Sequence, residues 1–348
     1  MFDATKMRPK SISSQKRDIL SKPVEHFEVE KYSGVSDVIE AFQGTSFQSR
    51  RLASCLSILI QMVTDKDRPL IFMGLAGAMV PGGLRRVVRD MMKYHIVDVL
   101  VSTGANLFHD LAEAIGFHHY VQCHRLSDTR LQEMKIDRIY DTYADEEEFQ
   151  KTDRFLMGFI ENMKPGLYSS REFLQLLGMK LHDENSVLRT GAVENVPIFS
   201  PAINDSSLGM ALAAYRLQRK RQDVVIIDSI KDNLEILKLK RAANKSAAIY
   251  IGGGVPKNFI QQIHPMAVIS GMRVRAHDYG IQITTDDPKW GGLSGCTLEE
   301  SVSWGKLTRE ASHETVYMDA TIGLPLLFKA LMEKKELWYP RKPFEMKP

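Results

Sequence analysis

The 348-residue sequence predicts an α/β fold, a Rossmann-like parallel sheet with helices on both faces. Three observations predict it. Short continuous apolar runs recur along the chain, small-residue turns follow most of them, and amphipathic segments come next, as strands buried on both faces and joined by crossover helices require. The first run is PLIFMGL at 69–75, followed by the Gly-rich turn at 74–83 and the amphipathic segment GGLRRVVRDMMKYH at 82–95. VDVLVST at 97–103 leads into STGANLFHD at 102–110. SPAINDSSLG at 200–209 is another small-residue turn after an apolar stretch. DVVIID at 223–228 reads as a further strand, and SAAIYIGGG at 246–254 runs into GGGVPKNF at 252–259. Between 125 and 185 this rhythm is lost and charge rises, as in DTYADEEEFQKTDRF, so helices laid over the sheet edge are expected there.

With 44% hydrophobic residues and no Pro/Gly/Ser linker, the chain reads as a single large domain at 23–348 behind a polar, flexible tail at 1–22. The 46 basic and 43 acidic residues are interspersed, so no basic stripe points to nucleic acid. Cys55, Cys123 and Cys296 lie far apart and form no CxxC pair, which speaks against a disulfide framework or zinc site and for a reducing, cytoplasmic setting. No run approaches the roughly 18–20 apolar residues that span a bilayer, and the N-terminus has no apolar signal core. His118 and His119 are chain neighbours, which rarely converge on one ion; they read as packing or surface residues, and no metal is expected.

In open parallel sheets a ligand sits beyond the carboxyl ends of the strands. Small-residue turns there let backbone amides approach a phosphate, and helix N-termini add a favourable dipole, so a dinucleotide is expected. None of the turns is a strict GxGxxG, and any one of them could serve only to reverse the chain. A different chemistry is suggested at 301–327, where Lys306 follows Trp304 and Gly305. An amine beside an indole is a candidate imine-forming nucleophile because desolvation frees its lone pair, although a lysine after glycine is more often a solvated surface residue.

Taken together and in chain order, GLAGAMVPGGLR, VDVLVSTGANLFHDL, PIFSPAINDSSLG, IYIGGGVPKNF and SVSWGK with its trailing YMDATIGLPLL resemble the deoxyhypusine synthase family from about residue 69 to 327. The resemblance implies NAD-dependent transfer of the 4-aminobutyl group of spermidine to an acceptor amine, by a homotetramer with active sites between paired subunits. It implies that hydride leaves the carbon beside the secondary amine of spermidine for the nicotinamide. Lys306 then takes the butylimine and releases 1,3-diaminopropane, and the acceptor amine displaces the lysine before the retained hydride returns. By the same resemblance Gly74, Ala76, Gly77, Ala78, Thr103, Gly104, Ala105, Asp205, Thr285, Asp286, Asp319 and Ala320 meet NAD. Asp205, Asn258, Trp290 and Trp304 line the amine pocket. Asp319 is also placed to cap a helix, the plainer role for an Asp before Ala-Thr.

Departures from the family pattern are equally specific. Asn258 stands where eukaryotic members carry a histidine after the GGGV-K motif, His109 and Met210 replace acids, and DDPKWGGLSG at 286–295 replaces an Asp-Gly-Ser-Asp-Ser-Gly run. An amide cannot titrate at neutral pH, which makes His109 the candidate for moving protons. Asp110, Asp286 and Asp287 remain to hold a polycation, and Trp290 and Trp304 offer cation–π faces, with plain packing the alternative for Trp290. This pattern resembles the bacterial deoxyhypusine synthase-like branch, which implies putrescine as acceptor and homospermidine as product. The alternatives are a deoxyhypusine synthase that modifies a lysine of a translation factor, and a non-catalytic NAD- or polyamine-binding homologue.

Overall fold

A computed structural model describes residues 12–219 and 224–345. Its strands, in chain order, are β1 (Leu70–Leu75), β2 (Val99–Ser102), β3 (His119–Val121), β4 (Ile136–Ile139), β5 (Thr142–Asp145), β6 (Gly166–Tyr168), β7 (Ile198–Phe199), β8 (Val225–Ile227), β9 (Ser246–Ile251), β10 (His277–Thr284) and β11 (Leu307–Tyr317). Six of them form one sheet in the order β11-β10-β9-β1-β2-β7, with every pairing parallel. The expected α/β architecture is therefore present.

Successive side chains of a strand point to opposite faces, and here each face has its own core. Ile71, Met73 and Leu75 join Ala247, Ile249 and Ile251 against Leu52, Leu56 and Leu59 of the Phe47–Thr64 helix and Leu324, Leu327 and Leu331 of the Ala320–Glu333 helix. Leu70, Phe72, Ala248 and Tyr250 face the other way, toward Ile260 of the Gly254–Gln261 helix and Ile236 of the Ser229–Ala242 helix. Burial on both sides is why the central strands read as unbroken apolar runs.

Three expectations change. The run at 223–228 supplies β8, but β8 pairs with β6 in a separate two-stranded sheet, and Asp223 lies outside the described residues. The 125–185 segment holds the expected helices at Asp128–Glu133, Glu146–Glu161 and Ser170–Gly178, yet also β4 and β5, which join β3 in an antiparallel sheet of order β3-β5-β4. Its strands are three or four residues long and mostly half-buried or exposed, too short to show an apolar period. Strands β10 and β11 had no recognised signal. β11 is an edge strand with Arg309 and Glu310 exposed, as edges permit, and β10 is interrupted by Gly280, where an added Cβ would press on Leu307 at 3.3 Å.

In the N-terminal tail, Ile12–Ile19 forms a helix with Ile12 and Ile19 exposed, and residues 1–11 lie outside the described residues. No helix among the described residues is long and apolar enough to cross a membrane. Cys55, Cys123 and Cys296 are all free thiols.

Gly74 lies inside β1, buried, with the Gly254–Gln261 helix directly above it: an added Cβ would stand 3.1 Å from Tyr250 Cδ1 and 3.3 Å from the backbone nitrogen of Lys257. Its smallness therefore serves helix-on-strand packing. Gly74→Val should lower stability by about 1–3 kcal/mol through overpacking. An unchanged denaturant midpoint would show that the helix shifts freely.

Candidate functional site

All the strands of the main sheet end on one edge, and the turns that leave it gather there. Ala76 and Thr103 follow β1 and β2, and residues 200–206 follow β7. Gly252–Gly254 follows β9, Thr285 follows β10, and Asp319 lies just beyond β11. Their first amides are already paired within the sheet: Ala76 N donates to Ile251 O at 3.0 Å, Thr103 N to Leu75 O at 3.2 Å and Gly252 N to Ile283 O at 2.8 Å. The crevice floor is thus rigid.

Beyond it the backbone is bare. Gly77 (φ 73°) and Gly252 (φ 69°) adopt left-handed conformations that disfavour any side chain. Thr103 caps the Gly104–Ala114 helix, its hydroxyl accepting from Asn106 N, so this helix presents its start to the crevice. Gly104 is closed down by the 200–206 loop, where a Cβ would collide with Ser206. Ala78 and Ala320 are half-buried, Ala105 and Thr285 exposed. Asp205, Asp286 and Asp319 are all exposed at this edge. Asp319 accepts from the Thr321 hydroxyl and, at 2.7 Å, from Thr321 N, capping the last helix; these two bonds hold its carboxyl below the usual range, so the plainer role is filled. These bare turns, helix start and acids fit a dinucleotide.

Asn106 was not singled out from the sequence. It is 1% exposed; its Nδ2 donates to Gly77 O at 2.9 Å and to Thr103 Oγ1 at 3.2 Å, and its Oδ1 accepts from Val80 N at 3.2 Å. It clamps the first turn to the second. Lys257, 1% exposed, was likewise missed: its Nζ donates to Gln282 Oε1 at 2.8 Å and to the Cys296 carbonyl, and burial pulls its pKa down to about 8. Gln282 Nε2 in turn donates to Gly252 O at 2.9 Å and Ser294 O at 2.8 Å. This polar knot straps residues 294–296 over the β9 turn.

Lys306 stands elsewhere. It immediately precedes β11, and its carbonyl accepts from His277 N at 3.0 Å at the amino end of β10. β10, the strand paired with β11, spans eight residues, so at ~3.3 Å per residue the lysine backbone enters about 26 Å from the turns at the carboxyl edge. Gly305 (φ 66°) makes the bend, and Lys306 Nζ lies 5.3 Å from the centroid of the Trp304 ring. Trp304 is 63% exposed and Trp290 is 76% exposed, so neither indole walls a closed pocket within one chain. Asn258 is half-buried on the Gly254–Gln261 helix.

Two of the candidate acids are engaged. Asp110 is fully buried and accepts from Arg85 Nε at 2.7 Å, Ser186 Oγ at 2.7 Å, Val187 N at 3.0 Å and Leu188 N at 2.8 Å. It is a structural anion and cannot bind a polyamine, which corrects the expectation. Asp287 caps the short turn to Trp290 and pairs with Lys289 at 2.7 Å. His109 is packed against Phe108 and Phe149 and bonded to His119; burial first, then the neighbouring His119, pulls its pKa down to about 4. His119 is thus more than packing. No cluster of possible metal ligands occurs among the described residues.

The family model for deoxyhypusine synthase matches residues 37–331. A protein named "Probable deoxyhypusine synthase 2" from Methanosarcina acetivorans is 46% identical over 308 residues, covering 87% of this chain and 88% of the relative. A "Deoxyhypusine synthase-like protein" from Chlorobaculum tepidum is 40% identical over 321 residues, covering 90% of this chain and 91% of that one. A crystal structure from Entamoeba histolytica that bears the deoxyhypusine synthase designation superposes with a TM-score of 0.60, over 93% of this chain and 100% of that chain, at 17% identity. That likeness speaks to the fold.

Removing the Asn106 clamp leaves buried polar groups unpaired. Asn106→Ala should lower stability by about 1–3 kcal/mol, and should weaken NAD binding roughly tenfold, or about 1.4 kcal/mol. Thermal melts with and without NAD read both effects; an unaltered NAD-dependent rise would separate this turn from the cofactor.

Proposed function

Because the chain belongs to the deoxyhypusine synthase family, whose members are NAD-dependent aminobutyltransferases that use spermidine, we propose that it transfers the 4-aminobutyl group to a small diamine, putrescine, forming homospermidine. Retention of Lys306 in its Trp-Gly-Lys setting, among amine contacts that differ at Asn258, His109 and Met210, supports this above all. A binding protein without catalysis has no need of an imine-forming amine. A second reading, with a lysine of a translation factor as acceptor, is favoured by the names of the archaeal relatives at 46% identity.

NAD, when bound, takes up a hydride from spermidine and later returns it. The residues proposed to hold it are Ala76, Gly77 and Ala78, Thr103, Gly104 and Ala105, with Asp205, Thr285, Asp286, Asp319 and Ala320 around them; Gly74 supports them from within β1. Bare turns and the helix start at Gly104 would suit its phosphates, and the exposed acids would suit its hydroxyls or the substrate ammonium groups.

Lys306 forms a C–N bond to the aminobutyl carbon as the bond to diaminopropane breaks, and the departing amine carries away a proton. The acceptor amine then repeats the exchange and frees the lysine. An indole face favours an ammonium. Activation of the lysine therefore rests on burial and on the charges of bound polyamine. Both indoles are exposed, and the lysine backbone enters the sheet at the edge away from the cofactor turns. We take these features as signs of a site shared between subunits of a cytoplasmic homotetramer, in which Trp304, Trp290 and Asn258 complete the amine pocket.

The purified protein incubated with NAD, spermidine and putrescine should yield homospermidine and 1,3-diaminopropane by mass spectrometry, with both lost in Lys306→Arg. Mass added only to a hypusine-precursor protein would establish the second reading. No product in either case would leave a binding protein. For the shared site, Lys306→Ala chains co-assembled with Ala105→Asp chains, whose exposed added charge opposes a phosphate at the helix start, should regain part of the activity that each lacks alone; no recovery would place the whole site in one chain.

A further inference from the structure

The Gly104–Ala114 helix begins at the cofactor turn, and His109 lies one turn below Ala105 on the same helix face. Glu113 lies one turn further on, and β3 brings His119 alongside. His119 Nδ1 lies 2.8 Å from Glu113 Oε1, and His119 Nε2 lies 2.9 Å from His109 Nδ1. The two rings meet edge to face at 4.8 Å between centroids, and both pack on Phe149 of the Glu146–Glu161 helix. Glu113 Oε2 faces Arg85 Nη1 at 3.5 Å, and Arg85 is itself held by Asp110 at 2.7 Å and Asp183 at 2.8 Å. His109 Nε2 has no hydrogen-bond partner among the described residues.

We propose that Glu113 and His119 are positioning residues that fix the tautomer of His109, leaving its Nε2 as a lone-pair acceptor for the amine substrate. This rests on the reading of His109 as the group that handles the substrate's proton. A carboxylate only accepts, so His119 carries its proton on Nδ1 and its Nε2 becomes an acceptor. That acceptor is satisfied by a proton on His109 Nδ1, and a neutral imidazole then has its lone pair on Nε2.

The same line moves charge without loss of balance. A substrate ammonium gives its proton to His109 Nε2; the Nδ1–H bond of His109 breaks as the proton passes to His119 Nε2. The neutral amine is free to attack, and the positive charge rests on His119 beside Glu113. His109 is neutral before and after. Burial first, then the neighbouring His119, pulls the His109 pKa down to about 4, which keeps its imidazole neutral at neutral pH with a lone pair to offer. Glu113 and His119, with Arg85, Asp110 and Asp183 behind them, are the charged or titratable groups in this line; Phe108 and Phe149 supply apolar walls.

A neutron structure of the perdeuterated full-length protein at neutral pH should show deuterium on Nδ1 of both His109 and His119 and none on His109 Nε2. Deuterium on His109 Nε2 would overturn the assignment. In solution, Glu113→Gln should lower the aminobutyl-transfer rate roughly tenfold and shift the rate–pH profile, with NAD affinity unchanged; an unaltered profile would equally overturn it. If the wild-type protein makes no transfer product, the reading of function fails while the neutron map still decides the tautomer.

Discussion

The architecture depends on one close approach, that of the Gly254–Gln261 helix to β1 at Gly74. A side chain there would meet Tyr250 and the backbone of the helix within 3.1–3.3 Å. Because the helix can settle, Lys257 reaches Gln282 and the Cys296 carbonyl, and residues 294–296 are tied across the sheet edge. The chain runs on from that knot through Leu298–Ser303 to Lys306. Packing at one glycine thus sets the path of the segment that carries the candidate nucleophile. A buried lysine bonded to neutral oxygens carries a desolvation penalty, and its lowered pKa expresses it.

The chemistry-bearing groups fall into two sets. The carboxyl edge holds bare turns, a helix start and exposed acids; the amino edge holds an amine against an exposed indole. Parallel topology produces this split, since every strand enters from one edge and leaves at the other. A residue just before a strand is separated by the strand's full length from one just after it. Exposed Trp290 and Trp304 are apolar surface left available for contact on the segment that bears the lysine.

Charge is distributed with the same economy. Asp110 would be the obvious anion in a helix that begins at the turn after β2, yet Arg85, Ser186 and the start of the Val187–Val193 helix absorb all its acceptor capacity. Glu113 is joined to His109 instead through His119.

The fold class was legible because strands buried on both faces must be continuously apolar; β1, β2 and β9 follow from that. The turns, the Trp-Gly-Lys setting and the family likeness were legible too, since they depend on residue identity along the chain. β10 and β11 were hidden by Gly280 and by the polar side chains that an edge tolerates, and β8 was assigned to the wrong sheet because apolar runs carry no partner information. The clamp of Asn106, the knot at Lys257, the burial of Asp110 and the joining of His109 to His119 and Glu113 were decided by tertiary structure alone. Each is a hydrogen bond between elements separated in sequence or between helix faces and loops, and sequence periodicity states which face a residue occupies, not what the fold brings opposite to it.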